Sequence, residues 1–123
     1  MFHKDGTFVT ESFIDTNTQR SGSVWDLAFS SDPEQKYIYA VNGVNEEVNV
    51  MLRNTLKVLT SFGGGGRQAG EFFGAHNIAT DSKGNIYVTE TYNGARIQKF
   101  IYKGIGRVER HQGPPWPKST VIK

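Results

Sequence analysis

The side chains with chemical potential cluster at a few places in the sequence. His76 heads the run His76-Asn77-Ile78-Ala79-Thr80, and Trp25-Asp26 holds the matching place in Trp25-Asp26-Leu27-Ala28-Phe29. A neutral imidazole can bind a metal or move a proton near physiological pH. His3 and His111 lie near the two ends and give no ligand spacing, and an indole cannot ligate. Asp26 and Asn77 could line a site beside Trp25 and His76, although such side chains more often bond turns and backbone. Glu90, Tyr92, Asn93 and Arg96 gather around an expected hairpin. They read either as a polar rim gripping a ligand or as a Glu90–Arg96 cross-strand pair worth under about 1 kcal/mol. Gly63-Gly64-Gly65-Gly66-Arg67 lacks the GxxxxGK[ST] spacing of a phosphate loop and reads as a flexible link. Phe72 and Phe73 anchor the connector that follows, and Glu46-Glu47 reads as a solvated turn. No Ser-His-Asp set or nucleophile elbow is visible.

The chain that must position these residues has 123 residues, enough for one domain. It has no cysteine, hence no disulfide framework or thiolate metal site. With 14 Lys+Arg against 12 Asp+Glu, a formal charge of +2 does not by itself argue for nucleic acid. No apolar run reaches the ~20 residues of a membrane-spanning helix, and the start Met1-Phe2-His3-Lys4-Asp5-Gly6 lacks the apolar region of a signal peptide. The expectation is a soluble protein, cytoplasmic by default. The basic end holds Gly113-Pro114-Pro115-Trp116-Pro117, so residues 112–123 read as a poorly ordered Pro-rich tail.

The sequence repeats itself. Val9-Thr10-Glu11-Ser12-Phe13 aligns with Val58-Leu59-Thr60-Ser61-Phe62 at an offset of 49, and Tyr37–Val41 with Asn85–Thr89 at 48. Trp25–Phe29 aligns with His76–Thr80 at 51. Short β-branched and aromatic runs flanked by turn residues predict strands at 7–14, 24–30, 37–42, 48–53, 56–62, 76–80, 85–90, 96–102 and 106–110, and no helix. Four strands recurring at this period mark an all-β propeller blade, whose repeat is about 40–50 residues. Residues 1–111 then hold a blade-completing strand 7–14, a blade over 24–62 and a blade over 76–110.

The run from Gly70-Glu71-Phe72 through His76-Asn77-Ile78-Ala79-Thr80-Asp81 and Gly84-Asn85-Ile86-Tyr87-Val88-Thr89-Glu90 to Arg96-Ile97-Gln98-Lys99-Phe100 resembles the NHL-repeat family. That resemblance implies blades of a β-propeller, commonly six-bladed. It implies a binding or scaffold module recognising a protein, peptide or small ligand at the channel mouth, with Trp25, Asp26, Asn77, Glu90, Tyr92 and Arg96 as ligand-binding candidates. Propellers of the peptidylglycine amidating lyase type offer an alternative, a zinc-dependent lyase or hydrolase with His76 as metal ligand. RNA binding is a third.

Two blades bury one shared face and leave two open. Several hundred Å² of apolar surface per flank is near the limit for a soluble monomer. At about 25 cal/mol per Å² this amounts to on the order of 10 kcal/mol per flank. Head-to-tail contacts repeated by rotation close into rings, so three copies are expected to make one six-bladed propeller, with a dimer as the alternative.

Overall fold

β-branched and aromatic side chains alternating with polar ones, punctuated by Gly, Asn and Asp, leave the backbone little choice but short antiparallel strands. The computed structural model describes residues 1–106. Within them β1 (Val24–Phe29), β2 (Tyr37–Asn42), β3 (Glu47–Leu52) and β4 (Val58–Gly63) form one antiparallel sheet in chain order. β5 (Ala75–Thr80), β6 (Ile86–Glu90) and β7 (Ile97–Phe100) form a second. The architecture is all-β, and no helix among the described residues is long and apolar enough to cross a membrane. The expected strand at 106–110 falls, save Gly106, outside the described residues, as does the tail at 112–123.

The sheets face each other across one core. Ala28, Val41 and Val48 from the first meet Ile78 and Val88 from the second, with Phe72 and Ala75 from the connecting segment and the head of β5. Phe62, Phe72 and Phe100 close the outer side as an aromatic cluster, the Phe62 and Phe100 rings 5.0 Å apart. Such pairs contribute about 0.5–1.5 kcal/mol beyond their burial. Polar ties run alongside. Asp26 Oδ2 accepts the Ile78 amide at 2.9 Å, and Thr80 Oγ1 donates to the Phe29 carbonyl at 2.8 Å. The expectation that Glu46 is solvated is corrected: its carboxylate crosses between the sheets and accepts the amides of Gly74 (2.8 and 2.9 Å) and Ala75 (3.2 Å).

The glycine run is likewise an ordered seam rather than a loose tether. Gly64 N donates to Glu46 O, Phe72 N to Gly64 O, and Gly66 N to Phe72 O, all within 2.8–2.9 Å. Gly63 sits at φ 109° with Phe72 2.5 Å from where a Cβ would be, so both the backbone conformation and the close approach require glycine.

The flanks differ from the expectation of two bare apolar faces. On the first sheet's outer face Ile38, Ala40 and Met51 are already buried, with Ile14 and Leu56 of the same chain packed against them. Its edges stay open, with Val24, Leu27, Phe29 and Val58 exposed on that face. The second sheet's outer face follows from register: Ala79, Tyr87, Thr89, Ile97 and Lys99 share it. Thr89 and Lys99 stand where the first sheet has Val41 and Val50, so this flank is only half apolar. Residues 7–14 join neither sheet. They make a single bridge, Phe2 with Phe8, whose rings meet edge-on at 5.6 Å.

Candidate functional site

The pairing of β1 with β2 slips between Val24 and Asp26, and that of β5 with β6 between Ala75 and Asn77. Trp25 and His76 are the extra residues of two equivalent bulges. A bulge re-aims a side chain out of the pleat, and bulges recur beside functional sites. Here both side chains are turned toward each other, since the two sheets meet along β1 and β5. The rings lie edge-to-face at 5.3 Å, both half-buried. Gly43 permits this: a Cβ there would run into the Trp25 ring and come within 2.6 Å of the Ala75 carbonyl.

A polar chain surrounds the rings. His76 Nδ1 lies 2.9 Å from Asn77 Oδ1, Asn77 Nδ2 donates to Asp26 Oδ2 at 3.4 Å, and Trp25 Nε1 donates to Gly22 O at 3.2 Å. An amide oxygen only accepts, so in this contact Nδ1–H is the donor and Nε2 points away from it. Thus Trp25, Asp26, His76 and Asn77 come together as one contiguous patch with an aromatic centre and a hydrogen-bonding rim. The patch offers stacking and polar contacts but no nucleophile. Among the described residues no group of three His, Asp or Glu could hold a metal, and the patch itself holds one imidazole, that of His76.

Glu90, Arg96 and Tyr92 belong elsewhere. Glu90 is buried at the end of β6, its side chain wholly withdrawn from solvent. It accepts Arg96 Nε at 2.6 Å, Gln98 Nε2 at 2.8 Å and the Phe73 amide at 2.8 Å. Burial pushes the Glu90 carboxyl up, but these bonds outweigh it and hold the group below its ordinary 4.5. The remaining guanidinium nitrogens of Arg96 donate to the carbonyls of Arg67 and Glu71, both at 2.6 Å, and of Gln68 at 3.4 Å. The cross-strand pair is therefore a buried clasp locking the inter-sheet connector, and not a surface pair. Tyr92 is 79% exposed on the neighbouring turn and joins neither group.

Two contributors escape sequence reasoning. Gln98 ties Gly70 and Glu71 to Glu90, and its only signal is an amide two residues after Arg96 on one strand face. Asp15 accepts from Asn42 at 2.7 Å and Asn49 at 3.1 Å, and no spacing marks that trio. Elsewhere a cleft of about 740 Å³ opens between the sheets, lined by Tyr37, Tyr39, Leu59, Lys83 and Tyr102 among others.

Compared with protein-family models and with curated proteins, the chain has no match in either.

Proposed function

We propose that this chain is an NHL-type propeller module that works by binding. Three copies close a six-bladed ring, and a protein, peptide or small ligand docks on the axial mouth through Trp25, His76, Asp26 and Asn77. The observation that carries this is the pair of equivalent bulges. Each blade spends one unpaired residue at the same place, and the two meet as an accessible aromatic pair with hydrogen-bonding neighbours. Aromatic anchors in a polar rim are what binding hot spots are made of. The patch holds no activated nucleophile or acid–base pair, which favours recognition over catalysis.

Selection of dodecapeptides displayed on phage against the whole chain tests the reading. Peptides enriched on the native protein should lose binding on both Trp25→Ala and His76→Ala, with unfolding curves confirming that the variants stay folded. Enriched peptides that bind both variants unchanged would overturn it.

One observation favours a second reading. The Nδ1 bond to Asn77 leaves His76 Nε2 free as a ligand nitrogen, oriented as metal-bound imidazoles commonly are. Three copies around an axis would supply three such nitrogens. Zinc titration monitored by calorimetry separates the two: one ion per three chains, lost in His76→Ala, supports a metal centre, and no uptake refutes it.

A further inference from the structure

β7 ends the second sheet, and among the described residues nothing pairs with its outer edge. The equivalent edge in the first sheet, that of β3, is covered by β4. The repeat relates Ile97 to Val48, Gln98 to Asn49, Lys99 to Val50 and Phe100 to Met51 by a common offset of 49, as the shared registers against β6 and β2 require. The same offset relates Val9–Phe13 to Val58–Phe62, which is β4. Val9–Phe13 therefore matches the strand that would follow β7 in the repeat, yet in its own chain it joins no sheet.

We propose that β7 receives Val9–Phe13 of a second copy of this chain as its fourth, antiparallel strand, in one defined register. This rests on the blade reading of the proposed ring and specifies its seam. β3 and β4 pair Val48 with Phe62, Asn49 with Ser61, Val50 with Thr60 and Met51 with Val58, skipping Leu59. Transferred to the seam, Ile97 faces Phe13, Gln98 faces Ser12, Lys99 faces Glu11 and Phe100 faces Val9, with Thr10 as the bulge.

Two features not used to derive the register agree with it. Ile97 and Phe13 are among the most exposed apolar side chains of the single chain, at 70% and 75%, and the register sets them directly opposite each other. It also sets the one ammonium of β7 against the one carboxylate of the incoming segment, where opposite charges stabilise a strand pair. A slip of one residue would send Phe13 to the other face and undo both matches. The chain's own residues 107–111 stand at the same offset and lie outside the described residues. In that register they would oppose Arg107 to Phe100 and His111 to Ile97, a poorer apolar match.

The test uses the native chain. Copies of ordinary and of ¹⁵N-labelled protein are mixed, treated with a zero-length carbodiimide and digested, and amide-linked peptides are read by mass spectrometry. A Glu11–Lys99 amide joining one labelled and one unlabelled chain is expected. Phe13→Asp, at a position exposed in the single chain, should leave the chain folded while weakening association about tenfold or more. A ring seen by light scattering without the Glu11–Lys99 amide overturns this seam and spares the ring. A Lys99–Glu109 amide within one chain overturns it in favour of the chain's own strand. A monomeric native chain overturns both seam and ring.

Discussion

Arg96→Ala is the perturbation that discriminates best between a surface ion pair and the clasp described above. Its guanidinium is 29% exposed, but the partner carboxylate of Glu90 is wholly buried. Removing the cation strands a charge away from water, frees the Arg67 carbonyl, and leaves the Gln68 and Glu71 carbonyls with only the Glu71 amide and Gln98 as donors. Breaking a buried pair by deleting one partner costs about 3–5 kcal/mol, whereas an exposed pair is worth under about 1 kcal/mol. Against a whole-domain stability of about 5–15 kcal/mol this is a large fraction. It corresponds to a fall in melting temperature of more than about 10 °C. Urea unfolding followed by tryptophan fluorescence measures it. Adding Glu90→Gln to Arg96→Ala should restore part of the loss, because the stranded charge is then gone. Acidity should act with opposite sign in the two proteins. In the native chain Glu90 is held below 4.5, so its stabilisation is complete above that pH and is lost as pH falls through the lowered value. In Arg96→Ala the orphaned carboxyl is raised instead, so the penalty of the substitution shrinks as the pH drops and Glu90 protonates. A loss below about 1 kcal/mol at neutral pH, unchanged by acid, would refute the clasp.

Other sites make narrower predictions. Glu46→Ala leaves the buried amides of Gly74 and of Ala75 without acceptors and should cost about 2–3 kcal/mol in a urea melt, against almost nothing if Glu46 were solvated. Gly43→Ala pushes a methyl into the Trp25 ring and the Ala75 carbonyl and should cost about 1–3 kcal/mol, with a shift in tryptophan emission as the indole is displaced. The Asp81 carboxyl is lowered to about 2, chiefly by the Asn85 side chain with help from backbone amides and Tyr87. Its contribution to the β5–β6 turn should be present above 3.8 and lost as pH falls through about 2, and a ¹³C titration should show that midpoint rising in Tyr87→Phe.

The strands were legible because their information is local: alternation and turn residues at Asp81–Gly84 or Asn42–Glu46 suffice, and each of β1 to β7 lies within two residues of its expected range. The repeat offsets also brought Trp25 and His76 to matching positions, although not the bulges that turn them together, since a bulge depends on pairing across strands. Glu46 and Gln98 were illegible for a related reason. Their role is set by amides and carboxylates brought near only when the two sheets meet, and nothing in their own neighbourhood records it. The flanks misled in the other direction. Repeat logic makes every blade face apolar, but Ile14 folds back over Ile38, Ala40 and Met51, and Thr89 and Lys99 replace the valines of the preceding blade. The segment 7–14 has strand sequence but joins no sheet, which is informative because among the described residues nothing pairs with the outer edge of β7.

The proposed ring requires that each chain supply two of its six blades. Size-exclusion chromatography with multi-angle light scattering on the native chain measures this directly. A chain of 13.7 kDa should elute as a particle of about 41 kDa, three copies and six blades, at micromolar concentration. A stable species of 13.7 kDa that does not associate on concentration would contradict it.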